Sequence, residues 1–186
     1  IPSDRKIVMY CGRFYGWKGL EVLADAVALL PKGVFVYIVG GTKEEFLKVI
    51  SRSEISENLV FPGEQPYAEI PTWLSSADGL LVLGTKHDDQ SYYYTSPMKI
   101  FEYMAIERPI VASSTPAIRD ILSPEEAVFY EPDNAQDLAE KISLVARDPE
   151  SVHAQVVRAY ARTKGLTWRE RARRVTRFIK ERTKVD

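Results

Sequence analysis

The sequence predicts an α/β fold: a doubly wound, mainly parallel sheet of about six strands with helices on both faces. Three observations carry that reading. Short β-branched, apolar runs recur along the chain, beginning with KIVMYC at Lys6–Cys11 and VFVYIV at Val34–Val39. Segments with apolar residues at helical spacing separate them, and this alternation implies right-handed βαβ units. Loops with unusual residues follow three of the runs, at Gly12–Gly19, Gly40-Gly41 and Gly84–Ser96. In such sheets ligands bind beyond the carboxyl ends of the strands.

Taken in order, Lys6–Cys11 is a buried strand that enters the loop GRFYGWKG. Leu20, Leu23, Ala24, Val27 and Leu30 then mark a helix that Pro31 and Gly33 stop. Val34–Val39 is the second strand, closed by Gly40-Gly41, and Thr42 with Glu45 forms a capping box for a helix reaching about Ser51. Leu59–Phe61 is a weak third strand before Pro62-Gly63, and Tyr67–Ser76 holds a short helix interrupted or started by Pro71. Gly79–Leu83 makes a fourth strand, and Gly84–Thr95 has no periodicity and reads as a loop over the site. Ile110–Ala112 and Ala127–Tyr130 are the fifth and sixth strands, with a short helix at Ala117–Leu122 between them. Ala135, Leu138, Ile142 and Val145 space an amphipathic helix. Two more helices follow, one to about Thr163 and one from Thr167 through Phe178.

No repeat, low-complexity tract or linker divides residues 1–186, so they read as a single domain. With 25 basic and 26 acidic side chains the net charge is -1, which argues against bulk nucleic acid as the main partner. One cysteine, Cys11, allows no internal disulfide, and a reducing, cytoplasmic setting is the default. No apolar run reaches the roughly 20 residues of a membrane helix, and no signal peptide is visible. The chain begins at Ile1, which suggests a piece of a longer protein.

The stretch Ser91–Pro109, SYYYTSPMKIFEYMAIERP, concentrates the candidate chemistry. Wound as a helix, Pro97–Ile106 is apolar almost all round and should be buried, interrupted only by Lys99 and Glu102 on one face. Those two residues make either a surface ion pair or a face presented to a polar ligand, since a carboxylate on a buried helix needs a partner. Ser96 is the expected N-cap and Pro97 the helix start, which places free backbone N–H groups beside Lys99.

Other constellations carry a plain and a functional reading. Arg13 and Lys18 are either solvated loop cations or a clamp for a diphosphate. Neither a Walker A motif nor GxGxxG is present. The second strand ends in Gly40-Gly41 where a nicotinamide site needs an acidic residue, which disfavours a dehydrogenase. His87, Asp88 and Asp89 read as a hydrophilic loop more than a metal or acid/base cluster, and Tyr92, Tyr93 and Tyr94 could stack on a base or sugar but read more commonly as a loop packed back on its own domain. The basic run Arg169–Lys184 could touch a membrane surface, but its apolar stripe and interleaved glutamates fit a terminal helix docked on the core better.

Together, GRFYGWKG, YIVGG, LVFPGE, WLSSADGLLVL, SPMKIFEYMAIERPIVAS and TWRERA, in this order from about Lys6 to Phe178, resemble the C-terminal domain of the retaining GT-B glycosyltransferases of family 4, or group 1. The resemblance implies a nucleoside-diphosphate-sugar such as a UDP-sugar as donor, transfer with retention, and no metal or other cofactor. It implies that Arg13 and Lys18 bind the diphosphate as catalytic groups and that Glu102 accepts hydrogen bonds from the ribose. Gly12, Gly40, Gly41, Pro62 and Gly63 would shape the donor pocket, and Ser96, Met98 and Lys99 would meet the phosphates and the sugar. Many relatives carry a glutamate eight residues before the one matched by Glu102. Tyr94 stands there in this chain, which leaves the sugar open. The acceptor, a sugar or lipid-linked glycan, would bind an N-terminal domain absent from the sequence, and the parent could touch the cytoplasmic membrane face. The competing class is a non-catalytic nucleotide-sensing or protein-interaction module on the same fold.

Overall fold

The computed structural model describes residues 5–183. Six strands, β1 (Lys6–Cys11), β2 (Val34–Val39), β3 (Leu59–Gly63), β4 (Gly79–Val82), β5 (Ile110–Ser113) and β6 (Val128–Tyr130), form one sheet in the order β3-β2-β1-β4-β5-β6. Every pairing is parallel. β1 and β2 are in register along their whole length, from Lys6 opposite Val34 to Cys11 opposite Val39. Parallel neighbours need a crossover, and helices supply it: α1 (Leu20–Ala28), α2 (Lys43–Val49), α3 (Ile70–Ser75), α4 (Lys99–Ala105) and α5 (Pro116–Arg119). Three more helices, α6 (Ala135–Arg147), α7 (His153–Thr163) and α8 (Trp168–Arg182), follow the last strand.

The near-continuous apolar strands are explained by burial on both faces. Successive side chains of a strand point to opposite sides. Val8 and Tyr10 therefore enter one core layer with Leu23 and Val27 of α1 and Leu138 and Ile142 of α6. Ile7 and Met9 enter the other, with Ile100, Tyr103 and Met104 of α4 and Ala159 of α7. The capping box forms as expected: Thr42 Oγ1 accepts from the Glu45 N–H at 3.2 Å, and Glu45 Oε2 accepts from the Thr42 N–H at 2.9 Å. Pro71 lies in the first turn of α3, where its missing N–H costs nothing.

Four expectations need correction. α4 begins at Lys99 with Met98 at the N-cap position, not Ser96, and no side chain caps it. Pro97 instead closes a turn, its carbonyl accepting from the Ile100 N–H at 3.1 Å. Second, α4 is buried only along Ile100, Tyr103 and Met104, so Glu102 faces solvent and needs no buried partner.

Third, Gly84–Thr95 is not all loop. Gln90–Tyr94 winds into a π-helical turn, fixed by Asp88 Oδ1 accepting from the Ser91 N–H at 3.1 Å and Ser91 Oγ accepting from the Thr85 N–H at 3.0 Å. Its tyrosines do not fold back onto the domain as a group, for Tyr93 and Tyr94 are exposed. Fourth, α8 is not docked on the core: none of its residues is buried, and Trp168, Val175, Phe178 and Ile179 stay more than half exposed. No described helix is long and apolar enough to cross a membrane.

Candidate functional site

From β1 the sheet grows outward to β2 and β3, and the chain then returns to add β4 on the other side of β1. That reversal opens a crevice beyond the strand ends. A cavity of about 300 Å³ lies there. Tyr10 of β1 and Val82 with Leu83 at the end of β4 form its base. Trp17 and Lys18 enter from the 3-10 turn Gly16–Lys18, and Thr95, Pro97, Met98 and Lys99 from the approach to α4.

Two cations share this cavity. Lys99 Nζ donates to the Cys11 carbonyl oxygen at 2.7 Å and stands 4.0 Å from the centre of the Tyr10 ring. Burial of its ammonium, reinforced by the charge of Lys18, pulls the pKa of Lys99 down to about 7, against the opposite influence of Cys11 and Glu102. Lys18 Nζ donates to the Arg13 carbonyl at 3.3 Å and lies over the rings of Tyr15 (4.6 Å) and Trp17 (5.3 Å). Burial lowers its pKa as well. Neither lysine forms a salt bridge with any of the described residues. Two desolvated cations without a carboxylate favour an arriving anion, which restores the field that water no longer supplies.

Glycines make the close packing possible. Gly12 sits at φ +148°, and a Cβ there would lie 2.8 Å from Lys99 Nζ. Gly40, at φ +125°, rests on Gly12, whose carbonyl oxygen would be 2.8 Å from an added Cβ. At Gly41 a side chain would overlap the ring of Phe14. Below them Tyr103, fully buried, accepts a hydrogen bond from the Cys11 N–H at 3.0 Å. The exit of β1 is thus held from both sides, by Lys99 on the carbonyl and Tyr103 on the amide.

The other expected site residues lie around this centre. The side chain of Arg13 is exposed and lines an adjoining cavity of about 410 Å³, with Phe14, Tyr15, Gly40, Glu45 and Glu64 among its walls. Arg13 and Lys18 therefore share a loop but face different depressions. Pro62 and Gly63 end the edge strand β3, and the Gly63 carbonyl accepts from the Gly40 N–H at 3.1 Å, tying the two turns together. Ser96 is exposed on the extended approach to α4. Tyr94, 72% exposed, stands outside the cavity, as does Glu102 one turn along α4 from Lys99. The Lys99–Glu102 ion pair considered from the sequence does not form.

Among the described residues no group of three or more His, Cys, Asp and Glu side chains converges to hold a metal ion. His87 Nε2 lies 3.6 Å from Asp133, and Asp88 holds the π-helical turn. A larger concavity of about 670 Å³ runs along α8, but its lining residues all belong to that one helix, so it is an open face and encloses nothing.

Sequence reasoning missed Tyr10, Trp17, Thr95 and Tyr103. Tyr10 and Tyr103 carried a signal, a polar-tipped aromatic amid residues otherwise suited to a dry core. Trp17 carried another, as an aromatic next to the loop cation.

Residues 1–163 match the family described as Glycosyl transferases group 1. TuaC of Bacillus subtilis (strain 168), provisionally named a teichuronic acid biosynthesis glycosyltransferase, is 26% identical over 146 residues, covering 77% of this chain and 33% of its own length. Sucrose-phosphate synthase from Thermosynechococcus elongatus superposes with a TM-score of 0.77 at 24% identity, over 97% of this chain and 46% of that one. HepE of Anabaena, solved in complex with UDP-glucose, gives 0.69 at 21% identity, over 87% of this chain and 44% of that one. The chain thus spans about a third of the relative it matches in sequence and under half of these two structures. With the family match covering most of its length and the Rossmann-like α/β sheet agreeing with these GT-B structures, the chain belongs to the group 1 glycosyl transferases.

Proposed function

We propose that this chain is the donor-binding domain of a retaining glycosyltransferase that moves a sugar from a nucleoside diphosphate to an acceptor. The observation that carries the reading is the pair Lys18 and Lys99, two cations with no carboxylate partner among the described residues, in one cavity at the switch point of a parallel sheet. Lys18 and Lys99 take the phosphate nearer the sugar, and Arg13, on the adjoining face, takes the other with its planar fork. Met98 and Ser96 border the phosphate end. Gly40, Gly41, Pro62 and Gly63 leave room for ribose and base, and Glu102, free of Lys99, accepts from ribose hydroxyls. HepE, a structural neighbour, binds UDP-glucose, which supports a uridine donor among the candidates.

In the reaction the bond from the sugar C1 to the phosphate oxygen breaks and its electron pair leaves with the diphosphate. The acceptor oxygen bonds to C1 on the same face and gives up its proton to the released phosphate. Charge grows on the leaving diphosphate, where Arg13, Lys18 and Lys99 stabilise it. The acceptor, a sugar or lipid-linked glycan, is bound by an N-terminal domain of the two-domain parent, in which activity is expected. Arg13, Lys18 and Lys99 supply the countercharge a metal ion would otherwise bring, so the donor is taken up without one.

A thermal-shift series with UDP, ADP and GDP tests the reading. At 100 times its dissociation constant the right nucleotide adds about 2.7 kcal/mol of stability. The shift is expected to shrink strongly in Lys18→Ala. A folded chain indifferent to all three nucleotides overturns the assignment.

A further inference from the structure

The cavity beside the two lysines has mainly apolar and aromatic side chains apart from those cations, Tyr10 and Thr95, and no carboxylate among the described residues lines it. About 300 Å³ is at the small end for a ligand pocket, room for one sugar ring next to a phosphate and not for a whole nucleotide sugar. A ring held there meets no carboxylate among the described lining residues, so its C–H face is left to contribute to recognition.

Trp17 is built for that contact. Its indole lies nearly parallel to the Tyr15 ring, with centroids 5.7 Å apart and planes 13° from each other, so Tyr15 backs it. Lys18, in the same turn, holds its ammonium over both rings, which fixes the aromatic pair and the phosphate-binding cation as one unit. Pro97 and Met98 supply the other apolar surfaces of the cavity.

We propose that Trp17 is a specificity-determining residue for the donor sugar: it stacks on the ring of the transferred pyranose and selects sugars that present an unbroken C–H face. This rests on the donor-binding reading of the same cavity. An aromatic stack of this kind is expected to tighten binding by about 3- to 10-fold.

The test is calorimetric titration of the full chain with three pairs, UDP and UDP-glucose, ADP and ADP-glucose, GDP and GDP-mannose. In at least one pair the sugar is expected to improve affinity over the bare diphosphate. Trp17→Ala should abolish that improvement, read as the ratio of nucleotide-sugar to diphosphate affinity so that any change in the hold of Lys18 on the phosphate cancels, and Trp17→Phe should retain part of it. Diphosphate binding with no sugar improvement in any pair, or an improvement that survives Trp17→Ala, overturns the role of Trp17 and leaves the donor-binding reading standing. Failure of every diphosphate to bind overturns both.

Discussion

Lys99 donates from the first residue of α4 to the carbonyl of Cys11 at the end of β1, 2.7 Å away, through the space that Gly12 leaves by lacking a side chain. That contact joins the helix to the strand at the point where the sheet reverses, and it places a buried lysine in the candidate donor cavity.

The pH dependence follows from its pKa of about 7 in the fold against the usual lysine value in the unfolded chain. Below pH 7 both states hold the proton and the burial penalty is fully present. Between about 7 and 10.4 the unfolded state binds more protons, so stability rises with pH through that window. Lys99→Met should flatten the rise of the melting temperature between pH 6 and pH 9. A bound diphosphate favours the ammonium, so binding of a nucleotide sugar, whose phosphates hold no titrating proton in this range, should take up close to one proton per site at pH 8 and almost none at pH 5.5. Titrations in buffers of different ionisation enthalpy read this directly.

Gly12→Ala adds a Cβ at 2.8 Å from Lys99 Nζ and forces an alanine to φ +148°. The expected cost is roughly 1–3 kcal/mol in urea unfolding. Part of it is the collision with Lys99, so the cost should be smaller in a Lys99→Ala background. Strict additivity would contradict the packing described.

Tyr103→Phe removes the hydroxyl that accepts from the Cys11 N–H. The amide is then left without that partner, at about 1–3 kcal/mol. The same variant should loosen the β1 exit, which amide exchange at Cys11 would report.

Since no side chain of α8 is buried, Phe178→Glu with Ile179→Glu should leave the unfolding free energy of this chain within about 0.5 kcal/mol. A loss of several times that value would mean the helix packs on the core after all.

Strands and crossovers were legible because burial on both faces writes itself as apolar runs, and Thr42 with Glu45 is a local pattern the chain obeys. Lys99 was legible as a candidate but its partner was not, because Cys11 is 88 positions away and the contact depends on the gap at Gly12. Ser96 failed as a cap because Pro97 and Met98 first form a turn, which delays α4 by two residues. The π-helical turn at Gln90–Tyr94 has a wider hydrogen-bond spacing than the 3.6-residue period and so leaves no periodic trace. For α8 the apolar stripe was real, yet a stripe states only that one face is apolar, and says nothing of what that face meets.

Titration of the intact chain with inorganic pyrophosphate tests the central claim most directly, because it isolates the two-cation cavity from base and sugar. Binding should be measurable in the wild type, weaken with added salt, and fall about tenfold or more in each of Lys18→Ala and Lys99→Met. Absence of binding by the folded chain, or undiminished binding in both variants, would contradict it.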